Sequence, residues 1–262
     1  MQAKRPIVML SIAGSDNTCG AGIQADIKTC QSLKAYCLNC ITMITSQNSR
    51  NVYKILELPS KVVISQIKTL LNEYKVDCIK IGLINNLYLA RKISDLLKGI
   101  RKIPIVVDPI YRSTTNKVFN KKKDYIMLNK ILSEIKPIFT PNLSEVKILL
   151  KINEKKRVKI SNILENFFEN YKTGVVLTDV DVKGKFCIDY ILDETKIVRK
   201  IKSQRIKSKN THGTGCTFSS SLAIFLAKGF SLEKSTKLAK SFTRRCIFRA
   251  PDFGINYGPL GH

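Results

Sequence analysis

Short apolar runs alternate with longer segments of helical period along most of the chain. Ile7 to Ala13, Cys40 to Thr45, Cys78 to Ile81, Ile103 to Val107, Ile138 to Thr140 and Gly174 to Thr178 are runs of strand length rich in β-branched residues. Between them, Gly22 to Leu33, Lys61 to Tyr74, Asn86 to Leu97, Ser144 to Leu150 and Ser161 to Tyr171 carry the helical spacing, with Val62, Ile64, Ile67, Leu70 and Leu71 close to one face. Phe186 to Leu192 and Lys196 to Ile201 read as a hairpin, followed by helices at Thr217 to Lys228, stopped by Gly229, and at Leu232 to Phe248. This alternation predicts an α/β fold with a mostly parallel sheet and helices on both faces. No internal repeat, low-complexity tract or linker interrupts it, so residues 1–262 are expected to form a single domain. In such folds ligands bind beyond the carboxyl ends of the strands, which is where polar motifs should gather.

The charge changes this picture little. The 262 residues hold 45 Lys+Arg against 20 Asp+Glu, a formal net charge of +25. A surplus of that size raises nucleic acid or an anionic membrane as a partner. However, 34 Lys, 33 Ile and 17 Asn occur together with no Trp, the signature of compositional drift in an AT-rich genome, and the basic runs (Lys121 to Lys123, Lys155 to Arg157) are short. No nucleic-acid or membrane partner is expected. The eight cysteines are too sparse for a disulfide scaffold. Cys37 and Cys40 form a CxxC with no second pair, inside a strand-like run, so buried reduced thiols in a cytoplasmic protein are expected. The apolar run after Lys4-Arg5 is about seven residues long and ends in Gly14-Ser15-Asp16, which fits a first strand better than a leader.

Four motifs can carry chemistry. Asn210-Thr-His-Gly-Thr-Gly-Cys216 leads two glycines into a helix, where free N–H groups and the positive dipole end favour an anion. It is neither a Walker A loop nor GxGxxG, because Phe218 stands at the last position; a plain capped helix start is the alternative. Ala13 to Asp26 is a polar, glycine-rich connection after the first strand. In Thr140-Pro-Asn-Leu-Ser-Glu145, Asn142 or Ser144 could cap a helix with Glu145 in its first turn. Asp108-Pro109 ends a buried strand, where a carboxylate suits Mg²⁺ or phosphate chemistry, or simply a turn.

Taken together, these stretches resemble the hydroxymethylpyrimidine/phosphomethylpyrimidine kinases of thiamine synthesis, within the ribokinase-like superfamily. Ile12-Ala-Gly-Ser-Asp, Gly20-Ala-Gly-Ile-Gln-Ala-Asp-Ile-Lys, Thr45-Ser-Gln-Asn48, Lys80-Ile-Gly82, Val107-Asp-Pro, Thr140 to Glu145 and Lys209 to Thr217 look like its signatures, in the same order from Ile7 to Pro259. The resemblance implies a three-layer fold without a separate lid domain, and ATP-dependent phosphorylation of 4-amino-5-hydroxymethyl-2-methylpyrimidine and then of its monophosphate. It further implies that Asp26 and Gln47 contact the aminopyrimidine beside Gly14, with Leu83 and Ile110 lining the pocket. Asp108 and Glu145 would hold Mg²⁺. Asn142, Lys209, Thr211 and Thr178 would lie on the ATP side, Gly213, Thr214 and Gly215 would form the anion hole, and Cys216 would be the general base or the proton relay, its thiol ionised by the helix N-terminus. A homodimer is expected.

There are departures from the family's pattern. Thr178-Asp-Val replaces a usual Lys-Gly-Gly whose Lys binds phosphate, unless Lys183, Lys185 or Lys209 takes over. Cys19 and Cys37 stand where Gly is usual, and Asn116-Lys117 replaces Gly-Asp. Two other readings stand beside this one: a pyridoxal or pyridoxine kinase, and a basic binding protein in which catalysis has decayed on the same fold.

Overall fold

The structure is a computed structural model; it describes residues 5–100, 103–181, 184–252 and 256–262. The first half of the chain forms β1 (Val8–Asp16), α1 (Gly22–Ser32), β2 (Tyr36–Gln47), β3 (Val52–Glu57), α2 (Ser60–Glu73), β4 (Cys78–Ile81), α3 (Leu87–Leu97) and β5 (Ile105–Val107). The second half adds α4 (Lys122–Ser133), β6 (Ile138–Phe139), α5 (Leu143–Leu149), α6 (Ile160–Tyr171), β7 (Val175–Leu177), β8 (Phe186–Leu192), β9 (Arg199–Gln204), α7 (Thr214–Ala227) and α8 (Leu232–Phe248). All nine strands belong to one sheet in the order β3-β2-β1-β4-β5-β6-β7-β8-β9. The strands from β2 to β7 run parallel, and β3 at one edge and the β8–β9 hairpin at the other are antiparallel additions.

The inner strands β1, β4, β5, β6 and β7 are largely apolar because both faces are covered. Their period of two sorts side chains into two cores. Leu10, Ile79, Ile105, Val107, Val175 and Leu177 face one side, packed with α2 to α6. Met9, Cys78, Val106 and Val176 face the other, packed with α1, α7 and α8. The result is the expected helix–sheet–helix arrangement. The same alternation disposes of the CxxC: Cys40 packs into the first core and Cys37 against the second, so the two thiols point away from each other. Among the described residues no cluster of three metal-binding side chains occurs, and no helix is long and apolar enough to cross a membrane.

Two elements are absent from the hydrophobic pattern. β3 is an edge strand, with Tyr53, Lys54, Glu57 and Leu56 all exposed, so it has no apolar face to read. α4 opens on Lys122-Lys123-Asp124, and its buried stripe includes Asn129 and Ser133, which mask the period. The second strand of the hairpin starts at Arg199 rather than Lys196, because Lys196 takes φ 55° in a turn closed by its N–H donating to the Asp193 carbonyl at 2.9 Å.

The two-residue strand β6 is held by packing more than by its ladder. Phe139 is fully buried, edge-on to Phe167 at 5.6 Å and to Tyr171 at 5.8 Å, and these two rings stack on each other at 4.6 Å. Phe139→Ala should lower the urea-unfolding free energy by about 3–5 kcal/mol. A loss below ~1 kcal/mol would show that β6 is positioned by its neighbours' ladders instead.

Candidate active site

The parallel strands end at one cavity of about 420 Å³. Its wall is built from the β1–α1 loop, the ends of β2, β4, β5 and β7, and the first turns of α5 and α7. Of the residues singled out from the sequence, Gly14, Gln47, Leu83, Asp108, Ile110, Asn142, Glu145, Thr178, Thr211, Gly213, Thr214, Gly215 and Cys216 line it.

The glycine turn is shaped for an anion. Gly213 is the N-cap residue of α7 at φ 87°, and a Cβ there would overlap the carbonyl oxygen of Gly20 in the β1–α1 loop. Only glycine allows that crossing. Gly215 turns its Cα toward Asp108, whose Oδ2 would lie 3.4 Å from an added Cβ. The backbone of this first turn therefore faces the Asp108 carboxylate on the wall of the same cavity.

Two buried carboxylates share the site. Burial pushes Asp108 up to about 6, partly offset by the Lys80 ammonium. Burial and the nearby Asp108 push Glu145 up to about 8, against the N–H groups of Asn142 and Tyr111 that it accepts. Glu145 is also a cap: Asn142 Oδ1 accepts its N–H at 2.9 Å while Glu145 Oε2 accepts the Asn142 N–H at 2.9 Å, a complete capping box. Asp108 accepts only from the Ser219 hydroxyl, at 3.3 Å to Oδ2, leaving Oδ1 with no donor among the described residues. Two mutually repelling carboxylates with free oxygen lone pairs are a donor set that fits a hard divalent cation such as Mg²⁺.

Three expected roles are corrected. Asp26 does not reach the cavity. It is fully buried on α1 and accepts from Ser11 Oγ at 2.5 Å, Ser220 Oγ at 2.7 Å and Lys80 Nζ at 2.9 and 3.0 Å. Its service is to hold Lys80, which lines the cavity; burial is the strongest influence and pulls the Lys80 ammonium down, but the charge and hydrogen bond of Asp26 act together with neighbours such as Asp108 to raise it above its ordinary value. Lys209 points away from the site and pairs with Asp252 on the surface at 2.9 Å, because its neighbour Asn210 turns inward instead. Cys216 lines the cavity at the third position of α7, but its thiol is pushed up to about 12 by burial, more than Lys80 and the Gly22 N–H pull it down. The helix N-terminus does not overcome that desolvation, so no thiolate stands ready at neutral pH.

Lys183, considered as a substitute phosphate ligand, lies outside the described residues, and Lys185 is exposed beyond the cavity wall. Lys80 and Arg112 are the lysine and arginine side chains that line the cavity among the described residues. Asp16, Thr114 and His212 also line it, brought together by contacts that join residues 196 and 98 positions apart.

A nine-stranded three-layer sheet with a glycine-framed anion turn at its carboxyl edge places the protein in the ribokinase-like class. The chain belongs to the phosphomethylpyrimidine kinase family, whose sequence profile matches residues 16–261. It is 31% identical, over 97% of its length, to the probable thiamine biosynthetic bifunctional enzyme, chloroplastic, of Oryza sativa subsp. japonica, and covers 46% of that relative. The chain thus spans about half the length of this bifunctional relative. It is 30% identical to the hydroxymethylpyrimidine/phosphomethylpyrimidine kinase of Aquifex aeolicus, covering 96% of this chain and 98% of the relative. The fold superposes on the ADP complex of Bacillus subtilis pyridoxal kinase with a TM-score of 0.88 at 27% identity, over 98% and 97% of the two chains.

Two predictions test these electrostatics. Lys80→Met leaves the Asp26 carboxylate buried without its counter-charge and should cost about 3–5 kcal/mol in chemical unfolding. The double variant Lys80→Met/Asp26→Asn should recover most of that loss; equal losses in both would show that the lysine acts by packing. The second concerns pH. The Glu145 carboxyl sits near 8 in the folded protein against an ordinary 4.5, so the folded state holds a proton that the unfolded chain has released between those values. Its contribution to stability is therefore full below about pH 4.5 and is lost as pH rises toward 8. Glu145→Gln keeps a capping side chain but removes this slope. In EDTA its stability relative to wild type should improve from pH 5 to pH 8.5, on the order of 1–3 kcal/mol. A constant difference would show that Glu145 does not carry a raised pKa.

Proposed function

We propose that the protein is an ATP- and Mg²⁺-dependent kinase of 4-amino-5-hydroxymethyl-2-methylpyrimidine and of its monophosphate. The observation that carries this reading is the meeting, in one cavity, of the Gly213–Gly215 turn with the Asp108 and Glu145 carboxylates. Phosphoryl transfer asks the protein mainly to position two reactants and to neutralise charge on the transferred group. Gly14, Gln47, Leu83 and Ile110 lie together on the wall formed by the ends of β1, β2, β4 and β5, and this half takes the pyrimidine. Asn142, Thr178 and Thr211 lie toward β7 and α7, and this half takes the nucleotide. Asp108 and Glu145 would hold Mg²⁺, which when bound neutralises phosphate charge. The N–H groups at the start of α7 receive the transferred phosphoryl group. Cys216 touches the acceptor hydroxyl as a neutral thiol; a loose transition state draws little on a strong base. Lys80 adds positive charge to the cavity without leaving Asp26.

Exposed Ile44 and Leu56 form a cross-strand pair at the β2–β3 edge, and this apolar edge supports a homodimer.

The test is incubation with ATP and Mg²⁺ of hydroxymethylpyrimidine, its monophosphate and pyridoxal, with products separated by mass. Mono- and diphosphate of the pyrimidine are expected, with pyridoxal turned over at least ~10-fold less efficiently. Preferred phosphorylation of pyridoxal would assign the chain to the activity of its structural relative, and no turnover of any acceptor would overturn the kinase reading.

A further inference from the structure

The chemistry proposed above gives His212 no task, although it sits immediately before Gly213 on the cavity wall. Its ring is held at both nitrogens by two loops remote in sequence. Nε2 lies 2.7 Å from Asp16 Oδ2 at the end of β1, where the β1–α1 loop begins, and Nδ1 lies 3.1 Å from Thr114 Oγ1 in the segment after β5. Its main-chain N–H donates to the Gly258 carbonyl at 3.1 Å, tying the same residue to the C-terminal segment.

Asp16 is held equally firmly on its own side. Oδ1 accepts the Thr18 N–H and hydroxyl, each at 2.8 Å, and Oδ2 accepts the Ala21 N–H at 2.8 Å. Burial would raise its carboxyl, but the hydrogen bond and charge of His212 and the Thr18 donors hold it well below the usual carboxylate range. Sterics give an independent indication of the same contact. A Cβ on Gly20 would run into the imidazole ring, and a Cβ on Gly213 would overlap the Gly20 carbonyl. The β1–α1 loop and the α7 turn thus meet glycine to glycine, with the His212 ring wedged beside the crossing.

We infer that His212 is a positioning residue whose imidazole clasps the β1–α1 loop, the α7 anion turn and the 111–118 segment together, so that the acceptor side and the phosphate side of the cavity form as one unit. A contact that both ligands favour couples their binding, and the coupling is reciprocal. The identity of the two ligands rests on the kinase reading above; the clasp does not. The Asp16 contact is its main arm, being charge-assisted and buried, and the Thr114 contact is the weaker arm.

Two substitutions separate the arms. His212→Asn places an amide near the position of Nδ1 and forfeits Asp16; His212→Gln reaches the position of Nε2 and keeps it. The first readout needs no turnover: iodoacetamide labelling of the buried Cys216, mapped by peptide mass, with buried Cys78 and Cys246 as monitors of global opening. His212→Asn should speed labelling of Cys216 by about 10-fold or more without affecting Cys78 or Cys246, while His212→Gln stays within about 3-fold of wild type. The second readout is affinity for a non-hydrolysable ATP analogue with and without hydroxymethylpyrimidine. Wild type should show coupling of about 5-fold or more, kept in His212→Gln and lost in His212→Asn. Equal behaviour of the two variants in the labelling assay, or acceleration of all three cysteines together, would overturn the clasp. Absent coupling in wild type would overturn its linking role. If wild type phosphorylates none of the acceptors yet the labelling pattern holds, the kinase reading fails and the clasp stands.

Discussion

The structure is organised around one buried ion pair. Asp26 and Lys80 are both fully enclosed, 2.9 Å apart, at the junction of β1, β4, α1 and α7. Burying two charges costs several kcal/mol each unless their remaining valences are satisfied. Here Ser11 from β1 and Ser220 from α7 complete the carboxylate, so four elements from distant parts of the chain must arrive together for the pair to be tolerated. An apolar pair of similar volume could contribute more stability. What the ions contribute is a fixed positive charge at the cavity wall, close enough to temper the raised pKa values of Asp108 and Cys216.

The cavity above that pair is electrostatically unbalanced. Burial raises both Asp108 and Glu145, and the Asp108 charge raises Glu145 further, because both stand on one wall with few donors. The glycine turn opposite them presents backbone, with no side chain in the way. A site that holds two carboxylates near an N-terminal helix turn is poorly satisfied by protein alone and well matched to a cation carrying phosphates. The same burial silences Cys216. The argument that a helix N-terminus ionises a cysteine holds for thiols that solvent can reach; with Cys216 only 5% exposed, desolvation dominates.

Asp26 and Lys209 depart from their expected roles for one shared reason. Each lies in a motif whose neighbours line the site, and motif membership does not say which way a side chain points. On α1, Ile23, Ala25, Asp26, Thr29 and Cys30 form the buried stripe, so Asp26 faces inward against α7 and the sheet instead of forward into the cavity. Lys209 is on the surface, where Asp252 takes it up.

Local periodicity and turn chemistry determined β1, β2, β4, β5, β6 and β7, most helices, the three-layer arrangement and the carboxyl-edge position of the motifs, because each follows from residues within a few positions of one another. The family signatures determined most of the cavity wall for the same reason. Only the tertiary structure decided which carboxylates crowd together, that Asp26 serves Lys80, that Cys216 is a neutral thiol, and that His212 joins Asp16 to Thr114. The hydrogen bonds among these join residues 54 to 196 positions apart, and the rest are consequences of burial. Neither is encoded in spacing along the chain; both exist only once packing has excluded water and brought distant side chains to within hydrogen-bond range.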